Sequence, residues 1–280
     1  MVQPNLEVRR IAGALGAEIH GVDLAARQTD TTIAAIRALL LEHGVIFFRD
    51  QQLDDARLKA FAGRFGTFFR HPYFVSEGDP DVIVVRRAPG DQRIVGEGWH
   101  SDTPASAAPP MASLLYGEEV PPYGGDTLFA NQYLAYETLS PAMQRMLEGV
   151  RAVYSDTRVA SPSLGRNAQS ATKLREGAEL HHSEAAHPVL RTHPETGRKA
   201  LYLVRPLMLH FDGMSNSESD GLAEFLYDHS HRPEFTCRFR WETGSLAFWD
   251  NRCTQHAALN DTGPFHRVMR RVQLNGDVPA

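Results

Sequence analysis

The run Val45-Ile46-Phe47-Phe48 places four apolar residues in succession with no polar alternation. A strand with one solvated face shows a period of two, so this run reads as a strand buried on both faces. Near the other end, Phe235, Cys237, Phe239 and Trp241 alternate with Thr236, Arg238 and Arg240, as expected of a strand with one face on the core. Glu242-Thr243-Gly244 turns that strand into Ser245 to Trp249. Further short strands are expected in two pieces within residues 5 to 24 and at Val82 to Val85. Two more, Ser113 to Tyr116 and Thr127 to Ala130, bracket the Pro121-Pro122-Tyr123-Gly124-Gly125 turn, and a hairpin-like pair surrounds Pro194-Glu195-Thr196-Gly197.

Helices are expected between these strands. Asp30 caps one carrying Ile33, Ile36, Leu39 and Leu40, which closes at Gly44. A second carries Leu58, Phe61, Ala62 and Phe65. Ser140-Pro141 opens a third with an apolar face of Met143, Met146 and Leu147. Ser215 and Glu218 form a capping box for a fourth, with Leu222, Phe225 and Leu226 facing inward. Many short strands in the second half, with helices in the first third and in inserts, favour a mainly β chain with decorating helices. The expected architecture is a double-sheet jelly roll.

The 280 residues suffice for one large domain spanning 1–280, with no internal repeat or linker. With 42% apolar and 22% charged residues and a net charge of -5, the chain offers no basic surface for nucleic acid and no membrane-binding signature. The first ten residues lack the apolar core of a signal peptide, and no apolar run is long enough to span a bilayer, so a cytoplasmic protein is expected. Cys237 and Cys253 fall in predicted strands and read as reduced packing residues. Residues 157 to 186 are polar and weakly periodic, and read as a mobile excursion that closes over the site. A homo-oligomer, dimer or tetramer, is expected.

The chemistry starts at Trp99-His100-Ser101-Asp102. In an extended segment, side chains two apart project from one face, so His100 and Asp102 can grip one small object. Such pairs arise by chance in a chain with thirteen histidines and thirty-four acidic residues, and a strand-end His and Asp bonding loop backbone is the plain alternative. A metal ion is the functional reading. Two histidines and one carboxylate leave open positions in non-haem iron(II) oxygenases, and the downstream candidate for the second histidine is His256, in Phe248-Trp249-Asp250-Asn251-Arg252-Cys253-Thr254-Gln255-His256. Arg267 and Arg271 follow at strand-compatible spacing and share a face, whereas Arg270 points away to the surface.

Taken together, Leu15-Gly16-Ala17-Glu18-Ile19, Val45 to Arg49, Trp99 to Asp102, Gly124-Gly125-Asp126-Thr127, His187-Pro188-Val189, Thr192-His193-Pro194, Trp249 to Arg252 and His266 to Met269 run in order along the chain. This constellation resembles the taurine dioxygenase family of iron(II)- and 2-oxoglutarate-dependent oxygenases, which includes alkylsulfatase and aryloxyalkanoate members. The resemblance implies the double-stranded β-helix, or jelly roll, fold. It implies His100, Asp102 and His256 as metal ligands and O2 as the oxidant, with 2-oxoglutarate chelating the iron and leaving as succinate and CO2. It also assigns Arg267 and Thr127 to the distal carboxylate of 2-oxoglutarate, which in an apolar barrel needs a charge-assisted partner.

In the taurine-using relatives, residues matching Arg271 and His71 hold the sulfonate. An asparagine that meets the taurine amine is Gly96 here, and a pocket aromatic is matched by Leu207, so taurine itself fits poorly while the anion-binding end is retained. The expected prime substrate is a small anionic organic molecule: a sulfonate, a sulfate ester or an aryloxyalkanoate. The alternatives are taurine dioxygenase proper, a zinc hydrolase using the same triad with a general base near the metal-bound water, and a jelly-roll binding module.

Overall fold

The computed structural model describes residues 6–72, 74, 78–91, 94–157 and 183–280. Its largest sheet has seven strands, in the order β1 (Glu7–Arg10), β2 (Ala17–His20), β3 (Val45–Phe48), β13 (Leu246–Asp250), β5 (Ala112–Glu119), β15 (Arg267–Leu274) and β4 (Ile83–Arg87). Every pairing within it is antiparallel except that of β2 with β3. A second sheet of three antiparallel strands runs β12 (Thr236–Phe239), β6 (Thr127–Asn131), β14 (Thr254–Ala258). Two further small sheets hold β11 (Met208–Phe211), β7 (Arg151–Ser155) and β8 (Glu184–Pro188), and β10 (Lys199–Leu201) with β9 (Leu190–Thr192).

The large sheet is covered on both faces, and the two-residue period of its strands sorts side chains between them. Ile46, Phe48, Leu114, Tyr116, Phe248, Val272 and Leu274 pack beneath the helices α1 (Asp30–His43) and α2 (Asp55–Ala62), against Ile36, Leu40, Leu58 and Phe61. Val45, Phe47, Ala247, Trp249 and Met269 face the second sheet and meet Phe129, Cys237 and Phe239. The apolar run of β3 thus serves two cores, which is why it lacks alternation. Phe47 sits at the seam between the sheets, stacked on Phe239 at 4.0 Å and edge-on to Phe129 at 5.6 Å. This two-sheet sandwich, with helices outside the larger sheet, is the expected jelly roll.

Local signals are mostly met. Thr29, rather than Asp30, caps α1, its side chain accepting from the Thr32 amide, and Gly44 closes the helix. Ser140 caps α4 (Pro141–Leu147), and Ser215 with Glu218 completes the capping box of α5 (Asn216–Ser230). Two helix faces differ from expectation. Met146 and Phe225 are exposed, because Leu147 and the Ala223–Leu226 pair take the buried stripe that these short helices can present.

The segments bracketing Pro121 to Gly125 do not form a hairpin. β5 belongs to the large sheet and β6 to the second, so the turn carries the chain from one layer to the other. Cys253 lies in the turn before β14, not in a strand, and both cysteines are buried and free. Among the described residues, no helix is long and apolar enough to cross a membrane. The excursion expected at 157 to 186 lies almost wholly outside the described residues.

Removal of the Phe47 ring should cost roughly 3–5 kcal/mol, the range for a buried aromatic truncated to alanine. Exposed Phe225→Ala should stay within about 0.5 kcal/mol of wild type. Denaturant titration of the two variants checks this contrast; equal losses would contradict the assignment of the seam.

Candidate active site

The site lies between the two sheets, and strand register builds most of it. Directly opposed residues of an antiparallel pair share a face. His256 is opposite Phe129, and Thr127 is opposite Phe239; since both phenylalanines point into the intersheet core, so do His256 and Thr127. The segment carrying His100 and Asp102 is not part of a long strand. It joins β14 through one bridge, in which the amides of His100 and His256 donate to each other's carbonyls at 3.0 and 2.8 Å. Ser101 anchors it by donating its hydroxyl to the Thr254 carbonyl at 2.9 Å.

This bridge gathers the three expected ligands. One donor atom each from His100, Asp102 and His256 lies within 4.8 Å of the others. Both Nε2 atoms face Asp102 Oδ1, at 3.9 Å from His100 and 4.0 Å from His256. His100 Nδ1 lies 2.9 Å from the Gly98 carbonyl, so that nitrogen carries the proton and Nε2 presents a lone pair. Burial, then the neighbouring His100, pushes His256 down to about 3, which keeps that imidazole neutral.

Asp102 is only 4% exposed. Burial opposes its ionisation, but the Arg271 cation and the hydrogen bond from Ser113 hold its carboxyl well below the usual range. Its two oxygens are used differently. Oδ2 accepts from Ser113 Oγ at 2.6 Å and from Asn251 Nδ2 at 3.4 Å, while Oδ1 faces the histidines and Arg271 Nη1 at 3.5 Å. Behind Ser113, Asn251 Nδ2 and Gln273 Nε2 donate to its hydroxyl at 3.1 and 3.3 Å. Asn251 Oδ1 in turn accepts from Trp249 Nε1 at 2.9 Å. The hydroxyl, with both lone pairs engaged, has its single proton left for Asp102.

The two arginines enter the same interior. Met269, between them, packs in the intersheet core, while Val272 and Leu274 lie on the helix side. Arg270 points to the helix side and pairs with Glu118 and Asp55; it is partly buried rather than a free surface arginine. Arg267 is buried, and its Nε and Nη2 have no hydrogen-bond partner. Burial pushes its guanidinium down to about 10, with Asp126 opposing. Arg271 is also buried, with an unpartnered Nε, and lies over the Phe74 ring at 5.4 Å. His71 is half-buried and packs on the same ring at 4.4 Å. Burial, then Arg271, holds His71 neutral at about 3.

The Gly124-Gly125 turn sets the entry to Thr127. Both glycines have positive φ, 74° and 68°. A Cβ on Gly124 would lie 2.3 Å from the Asp261 carbonyl oxygen, and one on Gly125 would lie 2.7 Å from Thr262 and 3.3 Å from Arg267. Only hydrogen fits there.

The model of the taurine catabolism dioxygenase TauD, TfdA family matches residues 7–273. The chain belongs to this family. It is 37% identical to an alkylsulfatase of Acinetobacter baylyi, the match covering 98% of this chain and 86% of that protein. It is 38% identical to an alpha-ketoglutarate-dependent sulfate ester dioxygenase of Pseudomonas putida, over 98% of this chain and 91% of that one. A solved taurine dioxygenase from Burkholderia xenovorans superposes with a TM-score of 0.84 at 38% identity, covering 99% of this chain and 93% of that chain. AAD-2, solved with Mn(II) and N-oxalylglycine, gives 0.81 at 27% identity, covering 98% of this chain and 99% of its own.

In this TauD, TfdA family member, a second cluster of potential ligands, His193, Asp250 and Cys253, is fully buried. Hydrogen bonding leaves no room for an ion there. His193 Nδ1 accepts from the Glu195 and Thr196 amides, so Nε2 carries the proton toward Asp250 Oδ2 at 3.1 Å. Arg252 binds both Asp250 oxygens, at 2.8 and 2.6 Å, and reaches Glu195. The cluster locks the turn that feeds β14 and His256.

Ser113 and Gln273 were not legible as site residues, since neither stands in a metal-ligand pattern. Asn251 and Trp249 lie in the Trp-Asp-Asn-Arg run but acquire roles only when β13 is set beside β5. Asn251→Ala should remove a support of Asp102 and orphan the Trp249 N–H. Loss of such an outer hydrogen bond typically weakens a metal about 10–100-fold, so Mn(II) titration should show that drop with the fold retained by circular dichroism. Unchanged affinity would exclude Asn251 from the support of Asp102.

Proposed function

We propose that this chain, as a single catalytic domain, is an iron(II)- and 2-oxoglutarate-dependent dioxygenase. Its reaction hydroxylates a small anionic substrate, of the sulfate ester, sulfonate or aryloxyalkanoate classes. The observation carrying this reading is the company kept by the triad. Two imidazoles and one carboxylate oxygen converge beside two buried arginines that each keep N–H groups without an acceptor, Nε and Nη2 of Arg267 and Nε of Arg271. Buried unpaired donors cost free energy, and two such cations in one apolar interior favour two anionic ligands.

The donor set suits a first-row divalent ion with open positions. His100, Asp102 and His256 would hold it, with Asp102 using Oδ1 because Ser113 and Asn251 engage Oδ2. When bound, iron(II) with 2-oxoglutarate and O2 supplies the oxidising power, and the co-substrate leaves as succinate and CO2. The chain's residues position the reactants. Arg267 and Thr127 are assigned to the far carboxylate of 2-oxoglutarate, and burial of Arg267 raises the strength of that pairing. Arg271 is assigned to the prime substrate's anion, with His71 beside it donating its single imidazole proton. Phe74 packs against both. A hydrolytic reading would leave the free N–H groups of Arg267 and the Nε of Arg271 unused.

The relatives' activities agree in substrate charge: an alkylsulfatase and a sulfate ester dioxygenase both act on sulfate esters. The test is succinate formation with iron(II), 2-oxoglutarate and air over a panel of alkyl sulfates, sulfonates and aryloxyalkanoates, each paired with a neutral isostere. Anionic members should stimulate turnover and neutral ones should not. Arg271→Ala should raise KM for the prime substrate by the equivalent of roughly 2–5 kcal/mol while changing KM for 2-oxoglutarate little, and Arg267→Ala should do the reverse. Equal turnover of a neutral isostere would contradict the anion assignment.

A further inference from the structure

Thr127 and Trp241 form a pair that neither position suggests alone. Trp241 is buried just beyond the end of β12, and its indole Nε1 donates to Thr127 Oγ1 at 2.9 Å. The direction of this bond is fixed, because an indole N–H can only donate. A threonine hydroxyl has one proton and two lone pairs. With a lone pair taken by Trp241, its proton is available to an acceptor on another side. The cation nearby, Arg267, cannot accept.

The same indole also carries that cation. Arg267 Cζ lies 5.6 Å from the centroid of the Trp241 ring, while Nε and Nη2 are buried without partners. Phe239 meets the Trp241 ring edge-on at 5.0 Å, and Gly125 lies against the Arg267 side chain, so both partners are fixed by packing. A hydroxyl proton and two guanidinium N–H groups therefore border one buried region without an acceptor among themselves. A carboxylate satisfies all three.

We infer that Trp241 is a positioning residue for the co-substrate: its N–H orients the Thr127 hydroxyl proton, and its ring supports Arg267, toward one carboxylate of a bound dicarboxylic keto acid. This rests on the 2-oxoglutarate reading above and assigns Trp241 a role in it. Trp241→Phe keeps an aromatic ring at this position but removes the N–H together with part of the indole, leaving Thr127 free to turn its proton elsewhere.

The test is anaerobic titration of the iron(II)-loaded protein with 2-oxoglutarate, followed through its visible charge-transfer band, in wild type, Trp241→Phe, Thr127→Val and the double variant. Trp241→Phe should raise the dissociation constant about tenfold, as expected for one hydrogen bond to a charged group. Iron affinity should be unchanged, and the double variant should bind no more weakly than Thr127→Val, because the N–H acts through that hydroxyl. A second readout leaves Trp241 intact. With zinc as a diamagnetic metal, its indole N–H resonance should shift on addition of 2-oxoglutarate in wild type and not in Thr127→Val. Normal binding by wild type together with equally tight binding by Trp241→Phe, additive losses in the double variant, or an unmoved wild-type indole resonance would each overturn the inference alone. A wild type that does not bind 2-oxoglutarate would overturn the functional reading and this inference with it.

Discussion

The buried carboxylate of Asp102 is the constraint on which the rest of the site depends. Withdrawing a carboxylate from water is expensive, and it is tolerated only where charge partners and hydrogen bonds replace the lost solvent. Here Ser113 and Asn251 engage one oxygen, and two imidazoles and Arg271 surround the other. These partners come from β5, the turn after β13, β14, β15 and the bridge segment. The jelly roll is therefore more than a container for the triad. Its layer arrangement is what brings β5, the turn into β14 and β15 to a single carboxylate on the bridge segment.

The turn from Asp250 to Cys253 transmits that order to His256. Asp250 is buried, yet hydrogen bonds and charge from Arg252, then His193, hold its carboxyl well below the usual range, and Arg252 is correspondingly raised. Glu195 ties Arg252 to Arg37 on α1, so the helix layer, the β9–β10 hairpin and the ligand-bearing turn share one ionic network. Breaking a buried pair by removing one partner leaves the other uncompensated. Loss of Arg252 or Glu195 would therefore loosen the turn that leads into β14.

Much of this was legible in the sequence where a simple period governs the outcome. Strand alternation separated Arg267 and Arg271 from Arg270, and the apolar run of β3 announced a strand with cores on both sides. The triad could be proposed because the ordered motifs along the chain resemble those of the family; spacing alone offered His100 and Asp102 only as a pair that also arises by chance. Legibility ended where the answer depends on layers rather than neighbours. Turn residues around Pro121 signal a reversal but do not say whether β5 and β6 share a sheet. Short helices such as α4 leave the buried stripe ambiguous, which exposed Met146. Ser113, Gln273 and Trp241 are ordinary strand or strand-end residues until register places them beside Asp102 and Thr127.

We propose that His100, Asp102 and His256 form one preorganised metal site whose carboxylate ligand is held in place before the ion arrives. Calorimetric titration of metal-free protein with Mn(II) tests it most directly, with wild type, Asp102→Asn and His256→Ala compared under identical conditions. One ion per wild-type chain is expected, with binding lost in both variants while circular dichroism remains that of the wild type. Retention of wild-type affinity and stoichiometry by either folded variant would contradict it.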